Sequence, residues 1–354
     1  MHPIPPQTSV VDPAPRRGLR RTLILGLLAL LLLLVVVTCG LGYIRVAPAQ
    51  VAQVVLGHLT GHEAPVARLL DQVVWEVRLP RILSAAAVGA ALALAGVVFQ
   101  GILLNPLADP FTLGVSSGAA FGAALALWLG LAFLGPYTVA LLAFLGAMAT
   151  LAAVIALSAK EGQTSPTSLI LSGVIVAAIL SAGISFIKYL SGEQVSVIIF
   201  WLLGSLAGRT WLEAGLTGGL ASLGFLVFLF HARDLNLLSL GPRAAAALGV
   251  EVRRVRLILL ITASLVSAAA VAVAGIIGFV GLLIPHLMRM LVGPDNRLLL
   301  PAAGLAGAML LLTADTLTRW ALPHEVPIGV LTALIGGPFF CYVFRRKQLG
   351  VGRG

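Results

Sequence analysis

Charged side chains inside the apolar stretches are the first candidates for chemistry in this chain. Asp315 is the one carboxylate well inside a predicted membrane span, and Arg319 follows it by four residues. Side chains four residues apart lie on one face of a helix, so the spacing favours an ion pair in which Asp315 orients Arg319. The alternative is a proton relay, because carboxylates within a membrane are by default candidates for ion coupling.

A second pattern could bind metal. His58 and His62 have helical spacing and Glu63 follows them, but no further ligands are evident and Gly61 interrupts the helix. Structural zinc sites use four ligands, so we predict that the chain holds no metal here. His286, beside a proline, is interpreted as a packed or interfacial residue.

The sequence contains no nucleotide-binding motif. A phosphate-binding loop places a lysine directly after a glycine, and none of Lys160, Lys188 and Lys347 does so. No nucleophile beside a base stands out either. We therefore predict a non-enzyme that binds no cofactor itself and cannot hydrolyse ATP.

The composition defines the elements that must position these residues. Of the 354 residues, 59% are hydrophobic and 10% are charged, whereas soluble domains carry about 25% charged residues. This predicts an all-α polytopic membrane protein. The net charge of +10 does not indicate a nucleic-acid partner, because the basic residues lie in short loops between apolar stretches.

About ten stretches are apolar and long enough to be transmembrane helices, which need about 20 residues each. They cover residues 23–44, 80–104, 111–134, 136–158, 167–190, 211–231, 256–275, 277–292, 298–321 and 326–344. The eighth is short and contains Pro285, which predicts a tilted or broken helix. A shorter apolar piece at 195–206 is predicted to be an interfacial or re-entrant helix.

The distribution of basic residues predicts the orientation. With the N-terminus inside, sixteen Lys and Arg residues lie on the inner side and seven on the outer side, as the positive-inside rule requires. We therefore predict a cytoplasmic tail at 1–21, a ten-helix domain at 22–344 and a cytoplasmic tail at 345–354.

The longest predicted inner loop runs from His231 to Arg256. Gly241-Pro242 separates two short stretches with helical character, and Gly249 ends the second. Such a compact knob could dock into a groove of a partner protein. A basic loop that touches anionic lipid is the alternative, and these residues alone leave both open.

Three arginines lie near predicted outer ends of spans. Arg78 and Arg81 flank Leu79-Pro80, and Arg319 lies in the ninth span. The planar guanidinium group suits carboxylates of a partner, although arginines at a membrane edge also serve as snorkelling anchors.

Several long motifs in the same order closely resemble the FecCD-type permeases, the membrane subunits of ABC importers for iron-siderophores, haem and cobalamin. The motifs are RLPR, NPLADPFTLGVSSGA, LLSLGPRAAAALGV, GIIGFVGLLIPHLMR, LPAAGLAGAMLLLTADTLTR and PIGVLTALIGGPFF. The resemblance runs from about Arg78 to Phe344. The proline-rich N-terminal tail is not part of the family pattern.

The resemblance implies a type II ABC importer permease fold in the inner (plasma) membrane. It further implies a homodimer or a second permease subunit, and two cytoplasmic ABC ATPase subunits that use ATP and Mg²⁺. A periplasmic or extracellular lipid-anchored substrate-binding protein would deliver the substrate. Membrane lipid surrounds the chain, and transport proceeds by alternating access.

The resemblance also assigns residues. The loop 234–252 would couple to the ATPase through Leu238, Gly241, Pro242, Arg243, Ala247, Leu248 and Gly249. Arg78, Arg81 and Arg319 would receive acidic residues of the binding protein. Thr167 and Ser168, in the polar stretch that begins the fifth span, would form the cytoplasmic gate, whereas capping of that helix is the simpler account.

Within the resemblance, the stretch SFIKYLSGEQVSVIIFWLLGSLAGRTW is similar to the iron-chelate type, which implies a ferric siderophore as the expected substrate. We expect an intact chelate rather than a bare ion, because the spans hold few charges that could bind a bare ion. Cobalamin and haem are the alternative substrates. An ion-coupled secondary transporter, with Asp315 and Lys188 as coupling groups, is the alternative class, and a membrane-embedded interaction protein without transport is a third.

Overall fold

The computed structural model describes residues 17–42, 44–62, 66–160, 163–320 and 325–351. Within them the chain is almost entirely helical. The helices are α1 (Arg17–Gly40), α2 (Pro48–Thr60), α3 (Arg68–Gln72), α4 (Leu79–Ile102), α5 (Val115–Trp128), α6 (Thr138–Ser158), α7 (Pro166–Leu190), α8 (Val195–Leu202), α9 (Trp211–Phe230), α10 (Ala232–Leu238), α11 (Pro242–Ala247), α12 (Val252–Ala274), α13 (Val280–Val292), α14 (Asn296–Trp320) and α15 (Ile328–Val351).

Short irregular elements complete the described chain. A π-helical turn, Val73–Arg78, joins α3 to α4, and 3₁₀ turns at Gly135–Tyr137 and Gly192–Gln194 precede α6 and α8. The two-residue strands β1 (Ala159–Lys160) and β2 (Gln163–Thr164) pair antiparallel before α7.

The predicted set of spans is confirmed in outline. In the described part of the chain, seven helical segments are long and apolar enough to cross a membrane: Thr22–Gly40, Arg68–Ile102, Gly135–Ser158, Pro166–Leu190, Trp211–Phe230, Val252–Ala274 and Asn296–Trp320. Three shorter apolar helices, Val115–Trp128, Val280–Val292 and Ile328–Cys341, fall on the other three predicted spans. A fourth, Gly192–Leu202, overlaps the first part of the predicted interfacial or re-entrant piece at 195–206.

The core is built around α4, in which 18 of 24 residues are buried. Glycines let its neighbours approach at backbone distance. A Cβ atom added to Gly89 would overlap the carbonyl oxygen of Gly307 in α14, and one added to Gly96 would overlap that of Gly281 in α13. In lipid, helices associate by such close packing rather than by the hydrophobic effect.

The expected helix break lies before Pro285 rather than at it. α13 contains Pro285 within one helix, whereas Gly275 (φ +72°) and Phe279 (φ +68°) bound a non-helical segment between α12 and α13. The carbonyl of Ala274 there accepts a hydrogen bond from the backbone N–H of Ser205 at 2.9 Å. Protein thus satisfies the freed backbone, as it must at membrane depth.

Candidate functional site

A charge cluster of Arg81, Asp315, Arg319 and Glu325 lies between α4, α14 and the chain that leads to α15. Arg81 Nε and Nη2 donate to Asp315 Oδ1 at 3.0 and 2.9 Å. Arg81 Nη1 and Nη2 also donate to the two carboxylate oxygens of Glu325 at 3.0 and 3.1 Å. The Asp315 side chain is 1% exposed and that of Glu325 is 51% exposed, so one partner of Arg81 is enclosed and the other is accessible.

The predicted pair of Asp315 and Arg319 is confirmed, with 3.2 Å between Arg319 Nε and Asp315 Oδ2. The contact of Asp315 with Arg81 is an addition that the sequence did not reveal. A buried charge is stable only where partners compensate it, and here two guanidinium groups occupy the oxygens of one carboxylate. The geometry therefore suits a structural anchor rather than a proton carrier.

Arg78 binds backbone carbonyls rather than the carboxylates of this cluster. Its guanidinium donates to the carbonyl of Cys39 at 2.7 Å and to that of Ile44, and the residue is 6% exposed. A cation at the carboxyl end of α1 satisfies carbonyls that lack helical partners and complements the helix dipole. The three arginines expected at the docking site are therefore held by their own chain, and their docking role stays a prediction.

At the opposite end of α4 and α14, α10 and α11 form the predicted pair of short helices around Gly241-Pro242. Positive φ angles at Gly241 (+99°) and Gly249 (+87°) turn the chain before and after α11, a conformation that glycine adopts without steric cost. Leu238 is buried. Pro242, Arg243, Ala247 and Leu248 are exposed. The loop is a knob with a buried base and an exposed, partly apolar tip.

The base of this knob contacts α14 through a polar cluster of Asn236, Asp295 and Asn296 that sequence reasoning missed. Asn236 Nδ2 donates to Asp295 Oδ1 at 2.8 Å. Asn236 Oδ1 accepts from the backbone N–H and from Nδ2 of Asn296 at 2.9 and 2.7 Å. Asn236 and Asn296 are 60 positions apart in sequence, and no local spacing could have indicated the contact.

The predicted gate residues lie in the first turn of α7. Ser165 Oγ accepts a hydrogen bond from the backbone N–H of Ser168 at 3.0 Å, so the capping account is confirmed. Thr167 is exposed and Ser168 is partly exposed. Their role in gating stays a prediction.

His58 and His62, the two histidines considered as metal ligands, have partners close by. His58 Nε2 lies 3.1 Å from Asp71 Oδ1, and its ring stacks on Trp75 with centroids 4.1 Å apart. His62 Nδ1 lies 3.0 Å from the carbonyl of Thr60, and Glu63 falls outside the described residues. Among the residues that the structure describes, no group of three or more His, Cys, Asp or Glu is arranged to hold a metal.

The turn between α4 and α5 carries one perturbed carboxyl group. Burial raises the pKa of Asp109 above its usual value, and hydrogen bonds from Thr112 and Phe111 oppose that shift. Its Oδ1 accepts from the backbone N–H groups of Phe111 and Thr112 at 3.1 and 3.0 Å. Asp109 therefore fixes the turn through local bonds, as Asp does in Asx-turns.

Comparison with known proteins finds sequence relatives that are named as import system permeases. The cobalamin import system permease protein BtuC of Halobacterium salinarum is 43% identical over 278 residues, 78% of this chain and 74% of the relative. The molybdate import system permease protein MolB of Haemophilus influenzae is 41% identical over 332 residues, 93% of this chain and 97% of the relative. The Fe(3+)-citrate import system permease protein YfmE of Bacillus subtilis is 38% identical over 329 residues, 92% of this chain and 96% of the relative.

A solved structure described as an inward-facing conformation of a metal-chelate type ABC transporter is 38% identical. It superposes with a TM-score of 0.81 over 92% of this chain and 99% of its own length. The expected type II permease fold is confirmed, and so is the prediction that the chain is a transport subunit rather than an enzyme, since its relatives are named as permeases. The FecCD transport family matches residues 30–346, and this chain therefore belongs to that family as a multi-pass membrane permease.

Proposed function

We propose that this chain is the permease subunit of an ATP-driven ABC importer that carries a ferric siderophore, as an intact chelate, across the inner membrane by alternating access. The observation that carries the proposal is the exposed face of α7 and α8. Only 5 of the 25 residues of α7 are buried. Leu171, Ile175 and Ile179 are exposed.

The exposed surface of α7 also carries polar groups, which fits a substrate path better than a purely lipid-facing surface. Ser181 and Ser185 are also exposed on α7, and Lys188 is the one charged residue of the helix. A bare ion needs several charged or carbonyl ligands to replace its water. A bulky chelate keeps its own ligands and needs a wide, weakly binding wall, which apolar and hydroxyl side chains provide.

In this proposal two permease subunits, identical or paired, place their α7 and α8 faces around one central path. Two ATPase subunits bind the knob of α10 and α11 through its exposed tip of Pro242, Arg243, Ala247 and Leu248. The buried Leu238 supports this tip from below. ATP and Mg²⁺ are bound by those subunits. ATP binding moves the loop 234–252, and Thr167 and Ser168 at the start of α7 open or close the cytoplasmic end of the path.

An external binding protein docks on the opposite face through carboxylates that reach Arg81 and Arg319, near the buried Arg78. The two hydrogen bonds from Arg81 to Glu325 would have to break first, because the other hydrogen bonds of Arg81 go to Asp315. Glu325 is the exposed partner and is the one that an incoming acid displaces.

The experiment is uptake by cells that lack and regain this gene, with its ATPase and binding protein present. The labelled panel contains a ferric siderophore, ferric citrate, haem, cobalamin and molybdate. We expect restored uptake of the ferric siderophore and no restoration with an ATPase that cannot hydrolyse ATP. Restored uptake of cobalamin or haem alone would change the assigned substrate and leave the proposed mechanism unchanged.

The same cells test the class of transporter. Uptake by an ABC importer stops when ATP is depleted, whereas an ion-coupled carrier stops with an uncoupler and survives ATP depletion. The two arginines beside Asp315 argue against that carrier, since two neighbouring cations favour the ionised carboxylate over the protonated form that a proton carrier must also adopt.

A further inference from the structure

The polar cluster of Asn236, Asp295 and Asn296 fixes α10 to the first turn of α14 with a defined orientation. The amide oxygen of Asn236 faces two donors of Asn296, and its amide nitrogen faces an Asp295 oxygen. Rotating the amide by half a turn would put donors against donors and oxygen against oxygen. The hydrogen bonds therefore specify one arrangement of α10 against α14.

The cluster also supplies hydrogen-bond acceptors for the backbone N–H groups at the start of α14. The backbone N–H of Asn296 belongs to the first turn of the helix and has no partner within it. Asn236 supplies that acceptor from another helix, and Asp295 Oδ1 accepts from the backbone N–H of Arg297 at 3.1 Å. Asn296 is 7% exposed, so few water molecules can replace these bonds.

Leu235, the residue before Asn236, packs α10 against α4. Leu235 is fully buried, and a Cβ atom added to Gly101 would lie 2.6 Å from Leu235 Cδ1. Successive residues of α10 thus contact the ends of both core helices. Because packed cores are not continuously deformable, a displacement of α10 moves these ends with it.

α4 and α14 are joined again along their length. Their backbones contact at Gly89 and Gly307, and Arg81 is paired with Asp315 at the far end. α14 has 25 residues, so it spans about 37 Å at about 1.5 Å per residue. One continuous set of contacts connects α10 with the charge cluster on the other side of the protein.

We propose that Asn236 is a positioning residue for transport, which transmits movement of the α10–α11 knob to the α4–α14 pair. The inference rests on the proposed function, since it assumes that an ATPase moves the knob. Asn236 touches neither the substrate path nor the exposed tip of the knob, and acts through Asp295 and Asn296.

The test exchanges the two side chains. In the Asn236→Asp variant, two carboxylates face each other where the wild type has a 2.8 Å hydrogen bond. Asp295→Asn alone keeps an acceptor for Asn236 Nδ2. In the double variant, the new amide at position 295 donates to the new carboxylate at position 236, and the hydrogen bond returns with reversed polarity. Arg297→Gln is the control, because it makes the same change of charge beside the cluster and only the backbone of Arg297 takes part in it.

Purified complexes with ATPase and binding protein are assayed in proteoliposomes at about pH 8 for substrate transported per ATP hydrolysed. For Asn236→Asp we expect a fall of about tenfold, which corresponds to about 1.4 kcal/mol of like-charge repulsion. Asp295→Asn, the double variant and Arg297→Gln should remain within about twofold of wild type, since the effects of contacting residues are not additive. Co-purification of the ATPase should be unchanged in all four.

Three results would overturn the inference: unchanged coupling in Asn236→Asp, a defect that Asp295→Asn does not correct, or loss of the ATPase from Asn236→Asp. The last would make Asn236 part of the ATPase-binding surface. Failure of the proposed function is a separate outcome, since wild-type complexes would then transport nothing on addition of ATP.

Discussion

α4 and α7 are helices of nearly equal length and similar apolar character, yet they have opposite surroundings. In α4, 18 of 24 residues are buried, and in α7, 5 of 25. Glycines of α4 meet backbone atoms of α13 and α14 at distances that admit no side chain, whereas α7 presents isoleucines and leucines outward. Apolarity thus determines that a segment lies in the membrane, and close-fitting small residues determine which segment lies in the core.

The charges of the two helices differ in the same way. Arg78 and Arg81 at the start of α4 are enclosed and bound by carbonyl and carboxylate oxygens, and Lys188 of α7 is partly exposed. A buried charge must be paired, because the alternative is an uncompensated ion in an apolar medium. The comparison predicts that substitutions around α4 change folding and that substitutions on α7 change association or transport.

The largest effect is expected for Asp315→Ala. It leaves Arg81 and Arg319 as largely buried cations without this carboxylate, and removing one partner of a buried pair costs about 3–5 kcal/mol. We expect poor yield and early thermal unfolding in detergent, measured by size-exclusion chromatography after heating. Lys188→Ala on α7 is the control and should unfold like wild type. Equal stability of the two variants would refute the contrast.

Gly89→Ala is expected to have the next largest effect. The new Cβ atom would overlap the Gly307 carbonyl oxygen, so α4 and α14 must separate, at the cost of about 1–3 kcal/mol typical of overpacking. Gly219→Ala in α9, where an added Cβ atom meets nothing within 4 Å, is the matched control. The same heating assay compares them, and a Gly89→Ala protein as stable as the control would show that the helices can move apart freely.

Ile179→Ala tests the contrast between the two helices on the exposed helix, α7. Ile179 of α7 is 66% exposed, so its truncation should change the unfolding of a single subunit by no more than about 0.5 kcal/mol. In the proposed function the α7 helices of two subunits meet around the path, so pairing of the subunits should weaken by about 1 kcal/mol through lost packing. Subunit photobleaching in dilute lipid bilayers measures the association. Unfolding without loss of pairing would mean that α7 serves the core.

Glu325→Gln should also change stability little, by about 0–1 kcal/mol, because Glu325 is half exposed and its pair with Arg81 is partly solvated. The substitution should strengthen docking of the binding protein rather than weaken it. Arg81 regains donors for an external carboxylate, and the binding protein should dock more tightly on the reconstituted complex in biolayer interferometry. Weaker docking would instead assign Glu325 to the contact itself.

Local patterns sufficed for those parts of the molecule whose determinants are close in sequence. Runs of apolar residues predicted the spans, and a four-residue spacing predicted the pair of Asp315 and Arg319. Gly241-Pro242, with Gly249 as a stop, predicted the two short helices of the knob. The polar stretch that begins the fifth span predicted capping of that helix, and the structure shows that Ser165 supplies the cap. Each of these determinants lies within a single helix or in the turn beside it.

The sequence by itself therefore determined that this protein is a polytopic helical bundle, roughly where its helices begin and end, and, through its motifs, to which family it belongs. The tertiary structure alone decided that α4 lies at the centre and α7 at the surface, that Arg81 shares Asp315 across 234 positions, and that Asn236 holds the start of α14. The reason is physical. In a membrane every span is apolar, and burial and pairing depend on which backbones fit closely enough to touch.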